Sequence, residues 1–496
     1  MIRFLLHDNP HQIDEIAPTM SVLDYLRTSL GQTDCKEGCA AGDCGACTIA
    51  IGSLGETGIH YHAANACITP LASLDGRQLL TVAHLREQRQ DATAEQDLHP
   101  VQAAMVNCHG SQCGFCTPGI VMSLFCWWHA VKRGELTADR HSIETALSGN
   151  LCRCTGYQPI LKAAVQALAA DEEDQFLARE SQLFTQLQAQ QANSSSCQGP
   201  LGHFLLPTSL GELNTLMADN PNAQLIAGAT DLGLSFTQQL QSAELLIYTG
   251  RVAELQRCEQ CEDAIHVGGA VTYSRALPLL RQAFPSFANM IGRLGSLQIR
   301  NQGTLAGNIA NASPIGDSPP VLIALNARLQ LSSCSGNREV AISDFFSGYR
   351  QTVMRSDECI VSIVIPTLKN GEILKVYKIS KRVEDDISAV CMALWLRCDN
   401  AIITEIRLAF GGMAATPARA MLTEQALLNR PFDDLSINDA KQALMLDFSP
   451  IDDVRASAAY RLAVAGNLLK RAQLEMSNTA NIDLFSLADS GASHHA

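Results

Sequence analysis

Eight cysteines fall in two bunches within the first third of the chain, and their spacing restricts the N-terminal fold more than any other feature. The first bunch is Cys39, Cys44, Cys47 and Cys67, in DCKEGCAAGDCGACTIAIG and NACITP. The second is Cys113, Cys116, Cys152 and Cys154, in GSQCGFCTPG and GNLCRCTGY. A C-x4-C-x2-C run with one distant fourth cysteine is the plant-type spacing of a [2Fe–2S] cluster, not the tight run of four-iron ferredoxins. Zinc sites usually pair two short knuckles, which this run does not. Sulfide-bridged iron prefers thiolates, so the four side chains must converge on one site. Gly38, Gly42 and Gly45 suit a loop wrapping closely around it. Cys35 is off the spacing and reads as a bystander thiol.

The second bunch is two pairs, C-x2-C and C-x-C, with 35 residues between them. Each pair precedes a helical pattern, TPGIVMSLFCWWHAVKRG and TGYQPILKAAVQALAA, with Pro118 and Pro159 suited to the first turn. Each also follows one, HPVQAAMVNCHG and SIETALSG. The pattern predicts a four-helix bundle with pseudo-two-fold symmetry. Its cluster would lie between two helix N-termini, whose positive ends favour negative charge. Two such clusters on one chain carry single electrons, which makes the function a redox one.

The net charge of −14 argues against a nucleic-acid partner and against an anionic membrane surface. The opening MIRFLLHDNPHQID turns polar early, so no signal peptide is expected, and no apolar run reaches the ~18 residues of a membrane span. Eighteen cysteines without a leader point to metal ligation and free thiols rather than disulfides. A cytoplasmic protein is expected, and its 496 residues predict two to four domains.

Residues 167–200 run from DEED into the Gln-rich QLFTQLQAQQANSSSCQGP, expected to be a polar linker crossing a surface, with room for a short helix. Strands and helices alternate after it. No G-x-G-x-x-G joins a strand to a helix, so a Rossmann site is unsupported. AGATDLG and TLAGNIANASP offer the small residues, amides and hydroxyls of anion-binding nests, a signal that plain turns share. CMALWLRCDNAIITEIRLAFGG predicts a hairpin turning at Asp399-Asn400. RASAAYRLAVAGNLLKRAQLEM predicts an amphipathic helix. Cys258 and Cys261 in QRCEQCED read as a surface turn. Cys108, Cys126, Phe125, Trp127 and Trp128 read as bundle core.

The cysteine motifs, in this order, resemble the iron–sulfur portion of the molybdenum hydroxylases over roughly residues 1–165. That family includes xanthine dehydrogenase, aldehyde oxidase, carbon monoxide dehydrogenase and nicotinate dehydrogenase. The resemblance implies that Gln112 and Cys154 face a molybdopterin. Residues 200–375 resemble the family's vanillyl-alcohol-oxidase-type FAD domain. It implies flavin contacts at Leu225, Ile226, Ala227, Gly228, Ala229, Thr230, Asp231 and Leu232 in one loop, and at Thr304, Leu305, Ala306, Gly307 and Asn308 in a second. Asp317, Ile360 and Lys378 complete the implied set. Leu294 stands where mammalian members place an aromatic ring beside the flavin. Residues 380–475 resemble the C-terminal flavin-domain extension. Its loop ISKRVEDDI, with Arg382 and Asp385, matches a family segment where NAD is reduced.

The expected architecture is therefore an α+β multidomain chain. A β-grasp plant-type ferredoxin domain (1–85) is followed by a four-helix [2Fe–2S] bundle (86–166) and a linker (167–200). A vanillyl-alcohol-oxidase-type FAD domain (201–375), a C-terminal α/β flavin-domain extension (376–480) and a disordered tail (481–496) complete it. Iron–sulfur and FAD parts fused in this order resemble the small subunit of bacterial xanthine dehydrogenases. That implies a separate large subunit carrying the molybdenum cofactor, in a heterotetramer of two small and two large chains. The implied activity passes electrons from molybdenum through both clusters to FAD and then NAD+, as hypoxanthine or xanthine is oxidised to urate. The alternative is the same role for an aldehyde or N-heterocycle substrate. No side chain is assigned as a catalytic acid or base.

Overall fold

The computed structural model describes all residues except 57, 87–96, 170–173, 191–194, 200 and 478–496. The tail expected over 481–496 lies outside the described residues.

Alternating apolar residues in IRFLL and TIAIG build the first sheet. Its order is Asn9–Ile13, Ile2–Leu6, Gln78–Leu80, Thr48–Leu54 and Ile59–Asn65, with only the Ile2–Leu6 and Gln78–Leu80 pair parallel. Ile2, Phe4, Ile49 and Ile51 point into a core shared with Val22, Leu23 and Leu26. Ser21 caps the short helix Val22–Asp24, which runs on into a π-helical turn over Tyr25–Ser29.

Four helices follow: Pro100–Asn107, Thr117–Lys132, Arg140–Leu147 and Gln158–Ala169. Thr117–Lys132 is apolar on nearly every face and is correspondingly buried, packing on the other three helices and on two strands of the first sheet. Phe125 and Trp128 are fully buried in this core, with Trp127 and Cys126 beside them.

The stretch expected as a surface linker is instead packed against the bundle where it is described. It forms the helices Gln175–Ala178 and Glu180–Gln190, then the strand Ser195–Gly199. Phe176, Leu183 and Leu187, an apolar stripe among glutamines, bury themselves in the bundle core. Asp174 caps the first of these helices through Oδ1. Its Oδ2 accepts from His99 Nε2 at 3.0 Å and His129 Nε2 at 2.6 Å. His99 Nδ1 accepts the Val101 N–H, so its proton is on Nε2 and the ring donates to Asp174. The trio is a hydrogen-bonded staple, not a metal ligand set.

The second half has three sheets that bear on the site. Ser195–Gly199, Gly202–Leu206, Leu245–Tyr248 and Gln224–Ile226 form one. An antiparallel sheet runs Cys258–Gln260, Ala264–Gly268, Cys359–Pro366, Arg328–Ser333, Gly336–Ala341. Helices Tyr273–Ala283, Pro285–Gly292 and Ser318–Ala324 cover it around Phe284, Phe287 and Leu322. The third is the meander Glu372–Ile379, Val390–Asp399, Ile402–Gly411, Ala418–Arg419, followed by three helices that end with Ala458–Met476. Asp399 pairs with Ile402, so the hairpin turns at Asn400-Ala401, one residue later than expected. Both turn residues have positive φ, 49° and 65°, as a type I′ turn requires. Among the described residues no helix is long and apolar enough to cross a membrane.

Candidate functional site

Cys39, Cys44, Cys47 and Cys67 converge at one end of the first sheet. Their thiols lie near enough to influence one another, Cys39 with both Cys44 and Cys67, and Cys47 with Cys67. Backbone amides of Ala41, Asp43 and Cys44 point at Cys39 Sγ at 3.3–3.4 Å. Such donors favour a thiolate. Gly42 and Gly45 take the expected positive φ. Gly38 does not; its role is space, since a Cβ there would lie 2.7 Å from Cys44 Sγ.

Cys113 and Cys116 sit at the N-terminus of Thr117–Lys132, and Cys152 and Cys154 just before Gln158–Ala169. The same holds here in pairs, Cys116 with Cys152 and Cys113 with Cys154. Burial, then the Cys152 thiol, pushes Cys116 up to about 12. Tyr157 orders this loop by accepting the Cys152 N–H at 2.8 Å. Cys113, Cys154 and Gln112 are exposed, and Phe115 and Leu151 stand out beside them at 48% and 56%.

The spread of the thiols bears on the metal. A mononuclear tetrahedral site needs all its sulfurs close together. Among the described residues, only His99, His129 and Asp174 bring three ligand atoms within 4.8 Å of one another. The thiols in each bunch are spread wider, which fits a two-iron cluster and not a single zinc.

The two loops touch each other. Leu151 N–H donates to the Cys44 carbonyl at 3.0 Å. Phe115 lies against Gly38, and a Cβ on Gly45 would run into the Gly149 carbonyl. The first loop also touches the second half of the chain. Gln238 Nε2 donates to the carbonyls of Cys39 at 3.1 Å and Ala40 at 2.9 Å. Asp385 feels the charge of Asp43; burial and then Asp43 push it up to about 6.

The two candidate flavin loops come together. Leu225–Leu232 leaves the strand Gln224–Ile226, with Ala229 at φ 58°, and enters the short helix Leu232–Thr237. Gly228 rests on the Gln302 carbonyl, where a Cβ has no room. Thr304 opens Leu305–Ala310 by accepting from Gly307 N. Asn308 Oδ1 accepts from Ser318, next to Asp317, and Asp317 pairs with buried Lys378. Ile360 is buried in Cys359–Pro366, its carbonyl against Gly269. Leu294 packs against the core beneath. From Ala227 to Thr230 no side chain exceeds threonine in size, so the backbone stays open to a ligand, which fits a pyrophosphate cradle.

Arg382 and Asp385 share the loop between the first two meander strands, where Arg382 Nη2 donates to the Asp385 carbonyl at 3.1 Å. Arg293 grips this loop through the Val383 carbonyl at 2.7 Å and the strand before it through the Lys378 carbonyl at 3.0 Å. That grip, the Asp174 staple and a buried amide at Gln298 were not foreseen from sequence. Cys258 lies in a short strand against the core, with Cys261 exposed after it.

Comparison with known proteins agrees with this layout. Residues 5–72 match the family described as "2Fe-2S iron-sulfur cluster binding domain", and 81–165 the "[2Fe-2S] binding domain". Residues 197–368 match "FAD binding domain in molybdopterin dehydrogenase" and 375–476 "CO dehydrogenase flavoprotein C-terminal domain". Xanthine dehydrogenase/oxidase of Gallus gallus is 31% identical over 88% of this chain and 37% of its own length. Xanthine dehydrogenase of Emericella nidulans is 32% identical over 90% and 36%. The chain thus spans little more than a third of these relatives. Among solved structures, carbon monoxide dehydrogenase from Hydrogenophaga pseudoflava aligns over 55% of this chain and 96% of that one, at 28% identity and TM-score 0.53. Quinoline 2-oxidoreductase from Pseudomonas putida aligns over the same shares at 25% identity and TM-score 0.51. With two [2Fe–2S] domains, a flavin domain and its C-terminal companion in one order, the chain belongs to the molybdenum hydroxylase family, in the iron–sulfur and flavin arrangement of the xanthine dehydrogenases.

Proposed function

We propose that the chain is the iron–sulfur and flavin subunit of a xanthine dehydrogenase, relaying electrons from a molybdenum cofactor on a partner subunit to NAD+. The hydrogen bond from Leu151 to the Cys44 carbonyl carries this reading, because it joins the backbones of the two candidate cluster loops. On one side of it, Cys113 and Cys154 are exposed beside Gln112, Phe115 and Leu151, a face open to a molybdenum partner. On the other, Gln238 ties the Cys39 loop to the candidate flavin domain. When bound, two one-electron clusters and FAD would supply the conversion of single electrons into a hydride for NAD+.

Eight cysteines hold the clusters in this reading: Cys39, Cys44, Cys47 and Cys67, then Cys113, Cys116, Cys152 and Cys154. The loops 225–232 and 304–308, with Asp317, Ile360 and Lys378, hold FAD. Arg382 and Asp385 line the approach of NAD+. The domain limits and the heterotetramer of two small and two large chains belong to the same proposal, as does a cytoplasmic location. Xanthine or hypoxanthine is the favoured substrate of the complex, from the xanthine dehydrogenase relatives. Similarity to carbon monoxide dehydrogenase and quinoline 2-oxidoreductase supports a second reading, the same relay for another substrate.

The test mixes the purified chain with NADH and follows flavin and cluster absorbance. Bleaching is expected without any partner. If an artificial reductant bleaches the protein and NADH does not, NAD+ is the wrong acceptor. A Cys47→Ser variant is expected to keep only the bundle cluster's paramagnetic resonance signal. Co-purification with a molybdenum-containing chain and a substrate screen separate the two substrate readings.

A further inference from the structure

We propose that Gln298 is a positioning residue of the relay, through which the flavin half of the chain fixes the separation of the two cluster loops. The inference rests on the relay reading above. Gln298 is fully buried in the short helix Leu297–Gln302. Its Nε2 donates to Asn150 Oδ1 and Ser123 Oγ, both at 3.1 Å, and lies 3.4 Å from Thr48 Oγ1. Asn150 stands two residues before Cys152, and Thr48 directly follows Cys47. Ser123 belongs to the central bundle helix. One amide from the flavin half therefore reaches elements that carry both candidate clusters.

The amide can face only one way. Ser123 spends its hydroxyl proton on Asn150 Oδ1 at 2.6 Å, and Thr48 spends its own on the Gly45 carbonyl at 2.7 Å. All three neighbours offer lone pairs to Gln298, so only its NH2 fits among them. Asn150 Nδ2 continues the chain of donors to the Gly45 carbonyl at 3.1 Å. Gln298 Oε1 has no hydrogen-bond partner and lies over Gly149, where a Cβ has no room. A buried amide oxygen left without a donor is costly. The hydrogen bonds of this side chain are thus all made by its NH2. It braces the Gly45–Asn150 contact, beside which Leu151 meets Cys44.

The rest of the helix shows what ordinary docking looks like. Gln298, Asn301 and Gln302 share one face at i, i+3 and i+4. Asn301 Nδ2 donates to the Ala63 carbonyl at 2.9 Å, and Gln302 Nε2 to Thr69 Oγ1 at 2.7 Å. Both hold the ferredoxin domain alone. Of these three amides only Gln298 also hydrogen-bonds into the bundle, where Leu297 adds an apolar contact.

The test uses the full chain with clusters and flavin in place. Two reduced [2Fe–2S] clusters are both paramagnetic, and their magnetic interaction falls with the cube of their separation. Gln298→Leu keeps the volume and removes the donors. It is expected to retain iron, flavin and both resonance signals, but with a weakened inter-cluster splitting. Ser123→Ala, which deletes one acceptor, is expected to shift the splitting less in the same direction, and it decides the matter if Gln298→Leu fails to assemble. Asn301→Ala is expected to leave the splitting unchanged. Wild-type splitting in both Gln298→Leu and Ser123→Ala overturns the proposal, as does an equal change in Asn301→Ala. Absence of two [2Fe–2S] signals from the wild-type protein instead overturns the relay reading itself, and the proposal with it.

Discussion

Lys378 Nζ donates to Asp317 Oδ2 at 2.6 Å, and both side chains are sealed from water. Ser388 donates to the other carboxylate oxygen at 2.5 Å, so Asp317 is satisfied on both sides. Lys378 comes from the meander and Asp317 from the N-terminal edge of Ser318–Ala324, so the pair locks the extension to the flavin domain. Breaking one partner of a buried pair costs about 3–5 kcal/mol, because the other charge is left uncompensated. Lys378→Met is expected to lower the melting temperature and to release FAD. The uncharged double variant Asp317→Asn with Lys378→Met is expected to recover much of the stability. Melting curves and the flavin-to-protein absorbance ratio check both, and a single variant that melts like wild type would contradict the lock.

Gly228 shows the same dependence in backbone form. A methyl group there meets the Gln302 carbonyl, a main-chain atom that cannot swing aside. Gly228→Ala is expected to separate the two candidate flavin loops. Protein recovered after gel filtration should lose flavin in far greater proportion than iron, because the eight cysteines stand on other segments and the displaced Gln302 helix only touches their loops. Normal flavin content would show that the loops are not a single cradle.

The two [2Fe–2S] domains and the bundle were legible because their information is local. A cluster loop must carry its thiols at fixed short spacings, and a buried helix must be apolar all round, as Thr117–Lys132 is. The staple at Asp174 was not legible, since its partners His99 and His129 are 75 and 45 residues away. Phe176, Leu183 and Leu187 were hidden in a run whose glutamines dominate its composition. Gln298 lay in a segment rich in Gly, Asn and Ser, which reads as turns. Its amides at i, i+3 and i+4 were the available signal, but one face of a six-residue helix announces itself only beside its partner surface.

The Asp174 staple gives a pH dependence of definite sign. Burial holds His99 below the ordinary imidazole value despite its carboxylate partner. Asp174 is held below the usual carboxylate range; burial opposes this, but hydrogen bonds from His129 and His99 outweigh it. A lowered histidine value means the unfolded chain takes up the proton first, so stability is lost as pH falls below about 6.5. The depressed Asp174 value adds a second loss below about pH 4, in the same direction. The bundle is therefore expected to melt lower at pH 5 than at pH 7, read by fluorescence of Trp127 and Trp128. Asp174→Asn keeps a capping side chain. It gives up hydrogen bonds to a charged acceptor, at a cost of roughly 2 kcal/mol. A variant as stable as wild type at pH 7 would mean the staple contributes nothing.

The two cluster loops approach each other closely at Gly45, which supplies a direct test of electron passage between them. Gly45 has φ 67°, and a Cβ would meet the Gly149 carbonyl and come within 2.7 Å of Asn150 Nδ2. Gly45→Ala therefore both strains the backbone and pushes the loops apart, loosening the Leu151 to Cys44 hydrogen bond. Gly134→Ala isolates the first effect, because Gly134 has a similar φ of 73° with nothing within 4 Å of its Cβ. Strain alone costs about 1 kcal/mol, so Gly134→Ala is expected to melt slightly lower and to transfer electrons normally. Gly45→Ala is expected to slow transfer between the clusters well beyond that control, because tunnelling decays steeply with distance. Rapid-freeze resonance spectra of protein reduced through the exposed bundle cluster would follow the signal of the second. Equal rates in the two variants would mean that the Gly45–Gly149 approach does not set the spacing on which transfer depends.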